Sequence, residues 1–347
     1  MCANNKKNHI KGKVDDFDAV SLYPSAMERL GGYLLGKPKV LNTCDYDIIK
    51  NYDGYFIEIK INKVGINRSF SLMSELNENG IRMFHNDMVG KILHVDKTTL
   101  EDYLKFQEIE FEVIRGYYYD EGRNYKLKEV IQYLFNERLR QKKLGNPIQN
   151  IFKLIMNSAY GKTLLKPIDD DTKYVWGEEN MKRKILANYA FVKEVTLLGN
   201  NNYEIKLIKS INTHYNNASC GIEVLSMSKR IMNEVMCLAE DKGYNIYYQD
   251  TDSMHIDSDN VSLLAKDFRE KYDKELIGKN MGQFHTDFDS DILKGNIYAK
   301  ESIFLGKKCY LDMLTDESGE IDYHIRMKGV SSVSVKHHAE KDFRYTI

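Results

Sequence analysis

The chain has 347 residues, 42% hydrophobic and 29% charged, a profile that fits a globular protein with two or three subdomains and excludes disorder as its main state. No run approaches the roughly 18 apolar residues of a spanning helix, and the opening MCANNKKNHIKGK has no apolar core for a secretory signal. A cytoplasmic location and no membrane partner are therefore expected. The five cysteines, Cys2, Cys44, Cys220, Cys237 and Cys309, are scattered without a CxxC spacing and read as reduced and structural. The net charge of -1 hides an asymmetry: residues 123–166 carry ten Lys or Arg against two Glu, whereas 240–292 hold thirteen acids against six bases. A basic strip can hold phosphates while an acidic cluster binds cations. Two unrelated solvated faces are the plainer alternative.

In chain order, Val14 to Val20 reads as a short strand, and Pro24, placed in a first helical turn, opens a short helix through Leu30. From Gly32 to about Tyr119 the pattern is mixed, with strands at Tyr55 to Ile61 and Phe111 to Tyr119 and a helix near Thr98 to Phe106. Leu127 to Leu144 is helical, with Val130, Ile131, Leu134 and Phe135 on one side and Arg138, Arg140, Lys142 and Lys143 at its end. Gly145-Asn146-Pro147 stops it, and a second helix from Ile148 to Leu164 completes a basic helical hairpin. Asp169-Asp170-Asp171 follows, then expected strands at Lys184 to Leu197 and Tyr203 to Ile211 and a long helix from Gly221 to Asp241. Tyr244 to Ile256 reads as two strands meeting at Gln249-Asp250-Thr251-Asp252. Four prolines and no low-complexity tract or repeat imply intimately connected subdomains.

Two features carry chemistry. Asp18 ends one expected strand and Asp252 lies in the turn of another; acids on neighbouring strand ends suit Mg²⁺, which is held by one or two carboxylates plus substrate phosphates. Ordinary turn chemistry is the alternative, since Asp and Thr favour turns for backbone reasons. Lys153, Asn157 and Tyr160 project from one helical face at spacings of four and three, and Arg138 and Lys142 are also four apart. A lysine, an amide and an aromatic ring in that order can hold a triphosphate, a sugar edge and a base. A solvated basic face with Tyr160 in the core remains open for each residue alone.

Taken together, Asp18-x-x-Ser21-Leu22-Tyr23-Pro24-Ser25, Lys153-x-x-x-Asn157-Ser158-x-Tyr160-Gly161 and Tyr248-x-Asp250-Thr251-Asp252-Ser253 resemble motifs A, B and C of the family B DNA polymerases, in the right order. Lys307-Lys308-Cys309-Tyr310 is similar to the family's KxY element, and Lys328-Gly329 falls where a lysine-glycine pair leads into the thumb. The resemblance spans Asp18 to about Lys328. Within the family, the insertion of some 130 residues between motifs A and B, and a second between B and C, are similar to the terminal-protein regions of the protein-primed subgroup of phages and linear plasmids.

The resemblance implies a DNA-directed DNA polymerase with α+β architecture: a palm whose antiparallel sheet bears the catalytic carboxylates, helical-hairpin fingers, α+β insertions and a truncated thumb. It implies that Asp18 and Asp252 hold two Mg²⁺ ions, with Mn²⁺ as an alternative, about 3.5–4 Å apart, helped by the Ala19 carbonyl. Asp250 is expected to be a supporting acid pointing away from Asp252. Lys153, Lys142 and Arg138 would neutralise the incoming dNTP; Leu22 and Tyr23 would bind it, Tyr23 as the steric gate against a 2′-hydroxyl; Asn157 and Tyr160 would line the nascent base pair. Lys308, Tyr310 and Lys328 would contact primer-template DNA, and Ser226 with Arg230 the template backbone, although the family's alanine-arginine pair is here Lys229-Arg230.

The expected segments are palm at 1–31, a first insertion at 32–120, fingers at 121–166, a second insertion at 167–215, palm with motif C and KxY at 216–328, and the start of a thumb at 329–347. Only 17 residues precede Asp18 and 18 follow Gly329, so no proofreading carboxylates are expected, and a separate chain could supply an exonuclease or thumb. A terminal-protein primer is the further partner implied. Two rivals remain: a catalytically incomplete fragment that binds only DNA or terminal protein, and a reverse transcriptase or RNA polymerase on a related palm, which Tyr23 and the YxDTDS form disfavour.

Overall fold

A computed structural model describes residues 8–165, 170–209 and 216–330. Cys2, Asp169, the expected strand end at Ile211 and most of the 329–347 segment lie outside the described residues. The chain divides into two compact units, one of residues 1–134 with 223–347 and one of residues 135–222.

The first unit is built on an antiparallel sheet whose strands run, side by side, Ile246–Asp250, Ser253–Asp257, His9–Ala19, Tyr298–Gly306, Cys309–Thr315 and Ile321–Met327. A short strand, Phe284–Thr286, pairs with the end of His9–Ala19. The first strand is therefore central, and its middle is buried on both faces: Val14 and Phe17 are core residues, and Asp15 and Asp16 are buried beside them. Phe17 stacks on Phe284 with ring centroids 5.2 Å apart. The strand is followed by Ser21 at φ 51° and the helix Leu22–Leu30. Pro24 sits in its first turn, where no intrahelical N–H is required, and Gly31 closes it in the left-handed conformation at φ 77°. Arg29 ties this helix to the helix Ala218–Asp241 through a two-pronged pair with Glu234 at 2.6 and 2.7 Å.

A second sheet in the same unit centres on Gly54–Lys63, flanked by Ile92–Asp96 and Glu110–Tyr119, with Lys39–Val40 at the edge. Tyr55, Ile57, Ile59 and Ile61 alternate with outward residues, so one face of the strand is apolar and buries against Leu93, Val95, Leu100, Tyr103 and Val113. Each such side chain contributes about 1.5–3 kcal/mol by burial. The helix Lys97–Gln107 begins at Asp96, whose carboxylate accepts from the Thr99 N–H at 3.2 Å and caps it.

The second unit holds the end of the helix Lys126–Lys143, the helix Gln149–Thr163 and a three-stranded antiparallel sheet of Asp170–Trp176, Asn202–Ile208 and Val192–Gly199. Here one expectation is corrected. Lys184 to Leu197 is not one strand: Glu178–Ala187 is a helix, and the strand begins only at Val192. Glu178 and Glu179 in its first turn complement the positive end of the helix dipole, and Glu178 pairs with Lys182 one turn on at 2.8 Å. The α+β class with antiparallel sheets is what the chain adopts. Among the described residues no helix is long and apolar enough to cross a membrane.

Candidate active site

Strand register creates the site. Asp18 lies opposite Ser253, and the Ala19 N–H donates to the Asp252 carbonyl at 2.8 Å. The ends of the motif A and motif C strands are thereby fixed side by side, with Asp18 and Asp252 on them. The hairpin between Ile246–Asp250 and Ser253–Asp257 is tight: the Asp252 N–H donates to the Asp250 carbonyl at 2.6 Å, and Thr251 adopts φ 55°. That left-handed conformation costs a β-branched residue roughly 1–3 kcal/mol, the kind of strain that functional turns retain.

Both carboxylates line an open cavity of about 460 Å³, together with Asp16, Asp250, Asp287, Lys308, Tyr310, Arg326 and Lys328. Partial burial pushes the Asp18 carboxyl up to about 7, helped by the charges of Asp252, Asp287 and Asp16. Burial likewise raises the Asp252 carboxyl, with Asp250 adding to it. Asp18 and Asp252 face one cavity, and the charge of Asp252 raises the Asp18 carboxyl, a repulsion that a bound cation relieves. Among the described residues no three His, Cys, Asp or Glu side chains form a self-contained metal site. Two carboxylates open to one cavity fit Mg²⁺, which completes its octahedron with substrate oxygens and water.

The remaining sequence candidates divide. Lys308, Tyr310 and Lys328 all reach this cavity. Lys308 turns the hairpin between Tyr298–Gly306 and Cys309–Thr315 at φ 56°, its N–H donates to the Tyr248 hydroxyl at 2.9 Å, and the Lys328 N–H donates to the Lys308 carbonyl at 3.0 Å. Tyr23 is half-buried and lines a neighbouring cavity of about 240 Å³ with Leu22, Ser226, Gln249 and Thr251; burial and the Asp252 charge raise its phenol's pKa. Arg138, Lys142, Lys153, Asn157 and Tyr160 belong to the second unit. On the helix Gln149–Thr163, Lys153 and Asn157 are exposed and Tyr160 is half-buried.

Two expectations are corrected. Asp250 does not point away from Asp252: it ends the strand Ile246–Asp250 while Asp252 lies in the turn beyond it, so strand alternation does not relate the two; Asp250 lines the same cavity and its carboxylate accepts from Lys308 Nζ at 2.7 Å. Ser226 and Arg230 do not present themselves to a template backbone. Ser226 is buried against Thr99 at 3.1 Å, and Arg230 is committed to Asp102 at 2.6 Å, Glu101 at 2.9 Å and the Thr98 carbonyl at 2.6 Å.

The structure also adds residues. Asp287 lines the cavity, with its carboxyl held below the usual range by the hydrogen bond from His285. Asp16 stands two residues before Asp18 and hence on the same side of the strand, a signal available in the sequence. His255 and Asp312, 57 residues apart and in contact at 3.2 Å, carry no such local signal.

With this geometry in place, comparison with known proteins defines the class. Residues 1–240 match the family described as DNA polymerase type B, organellar and viral. The chain belongs to that family. It is 28% identical over 227 residues to a probable DNA polymerase of Neurospora intermedia, covering 64% of this chain and 20% of that protein. It is 54% identical over 35 residues to the DNA polymerase of Acidianus bottle-shaped virus, covering 10% of this chain and 5% of that protein. In three dimensions it is similar to Phi29 DNA polymerase complexed with primer-template DNA, at TM-score 0.63 and 17% identity, over 99% of this chain and 55% of that one. The ternary complex of the same polymerase with DNA and incoming nucleotide gives TM-score 0.59 and 19% identity, over 97% and 54%. At such identity the likeness is one of fold. The chain thus spans about half the length of the structures it resembles and a fifth or less of these curated relatives.

Proposed function

We propose that this chain carries the palm and fingers of a DNA-directed DNA polymerase that extends a primer 3′-hydroxyl by nucleotidyl transfer from dNTPs on a DNA template. The observation that supports it most is the pair Asp18 and Asp252, set side by side by strand register and opening into one cavity rimmed by Lys308, Arg326 and Lys328. In the reaction the primer 3′-oxygen forms a bond to the α-phosphorus, the bond from that phosphorus to the β-phosphate oxygen breaks, pyrophosphate leaves and the hydroxyl proton passes to solvent. Asp18 and Asp252, with the Ala19 carbonyl, would hold Mg²⁺ or Mn²⁺, which when bound would supply Lewis-acid activation of the hydroxyl and charge neutralisation at the pyrophosphate. Tyr23 closes the space a 2′-hydroxyl needs, while Lys153, Lys142 and Arg138 neutralise the triphosphate and Asn157 and Tyr160 line the base pair. Asp250 acts through Lys308, fixing the ammonium that, with Tyr310 and Lys328, contacts the primer-template duplex.

The two insertions between the motifs support a protein-primed role with a terminal protein as primer, in the host cytoplasm of a phage or plasmid. The test is extension of a primed DNA template with one correct dNTP, compared with the matching rNTP and with an RNA template. Template-directed dNTP addition supports the reading. Binding of primed DNA by a folded chain without extension replaces it with a DNA-binding module.

A further inference from the structure

One further carboxylate at the edge of the cavity has no role in the function proposed above. Asp16 projects from the same side of the strand as Asp18 and lines the same cavity, yet it is only 6% exposed and its Oδ1 has no hydrogen-bond partner. That oxygen faces another orphan: Nδ1 of His255, 3.8 Å away, is buried and also without a partner. The other ring nitrogen of His255 is engaged, with Nε2 at 3.2 Å from Asp312 Oδ2. Asp312 is fully buried and receives His324 Nδ1 on the same oxygen at 3.3 Å. The imidazole cannot swing away, because Tyr248, Phe304, Tyr310 and Phe288 enclose it with centroids 5.1–5.9 Å distant. Burial alone would push the His255 imidazolium toward its neutral form, but the charges of Asp312 and Asp16 outweigh it and hold the pKa above the ordinary value. Asp312 is correspondingly held at about 2, the His255 charge overcoming its burial.

Resting on the function proposed above, we infer that His255, braced by Asp312, is a positioning residue that retains Asp16 at the wall of the cavity and keeps it out of the cation cluster that Asp18 and Asp252 form. The physical need is plain. A carboxylate that borders the cavity on the same side of the strand as Asp18, if released into it, draws a hard cation away from the geometry that phosphates complete. Groups that hold the residues around a metal in place typically change its affinity 10–100-fold when removed.

The test combines Mn²⁺ binding to the free protein, read by electron paramagnetic resonance, with the Mg²⁺ dependence of primer extension well below the melting temperature. His255→Gln should change Mn²⁺ affinity and raise the Mg²⁺ needed for half-maximal extension about tenfold, with the dNTP KM unchanged. Adding Asp16→Asn should return both close to wild type. A purely structural role for His255 moves melting but not the Mg²⁺ dependence. Wild-type cation behaviour in His255→Gln, or a defect that Asp16→Asn does not repair, overturns the inference. If His255→Gln does not fold, Asp16→Asn alone decides: near-wild-type Mn²⁺ binding is expected, and loss of binding makes Asp16 a ligand and refutes the proposal. Asp18→Asn serves as the control, because unchanged Mn²⁺ binding in it defeats the proposed active site itself rather than the role of His255.

Discussion

Replacing Asp18 by Asn should stabilise the metal-free protein at neutral and alkaline pH while removing its activity. Asp18 is ionised at the cost of partial burial and of repulsion from Asp252, Asp287 and Asp16, which together move its carboxyl from 3.8 to about 7 in the folded chain. Because the folded value is raised, the protonated group favours folding; its contribution is complete below about pH 4 and is lost as pH rises through about 7. The shift corresponds to roughly 4 kcal/mol at 1.36 kcal/mol per unit. Asp18 is in part open to solvent, and screening reduces this to about 2 kcal/mol. Urea unfolding in chelator should therefore show Asp18→Asn more stable than wild type by about 2 kcal/mol at pH 8 and equal to it near pH 4. Saturating Mg²⁺ should erase the difference, since cations bound to the native state stabilise wild type selectively. A variant less stable than wild type at pH 8, or a gap independent of pH, would refute the electrostatic account of this site.

Other outcomes follow from the same contacts. Arg230→Ala leaves Asp102 buried without its cation and should cost about 3–5 kcal/mol in denaturant unfolding, while the salt slope of DNA binding stays unchanged. Lys328→Ala should lower that salt slope by about 0.9, the value of one lost phosphate contact. Tyr23→Val should raise the ratio of rNTP to dNTP kcat/KM at least tenfold, a discrimination change of about 1.4 kcal/mol, with the DNA dissociation constant unaffected.

The sequence made legible those parts of the fold whose signals are local. The apolar runs around Asp18 and Asp252, Pro24 in a first turn, the alternation of Tyr55, Ile57, Ile59 and Ile61, and the basic helical hairpin all report on neighbours within a few residues. The helix Glu178–Ala187 is obscured in the sequence because Ile185, Leu186 and Ala187 lead toward the apolar residues of the strand beyond them, although the paired glutamates at its start mark a helix N-terminus. What stayed hidden depends on register between distant segments. His255 meets Asp312 across 57 residues, Lys308 meets Asp250 across 58, and Arg230 is claimed by Asp102 across 128. A lysine or arginine in a motif advertises a charge, and only packing decides whether an internal carboxylate has already taken it.

The most direct measurement is single-turnover extension of a primed DNA template by wild type, Asp18→Asn and Asp252→Asn, with folding and DNA binding checked for each. Template-directed addition by wild type is expected, with a loss of at least about a thousandfold in either variant, some 4 kcal/mol of transition-state stabilisation, and DNA affinity retained. Extension by the variants at wild-type rates would contradict the proposed active site.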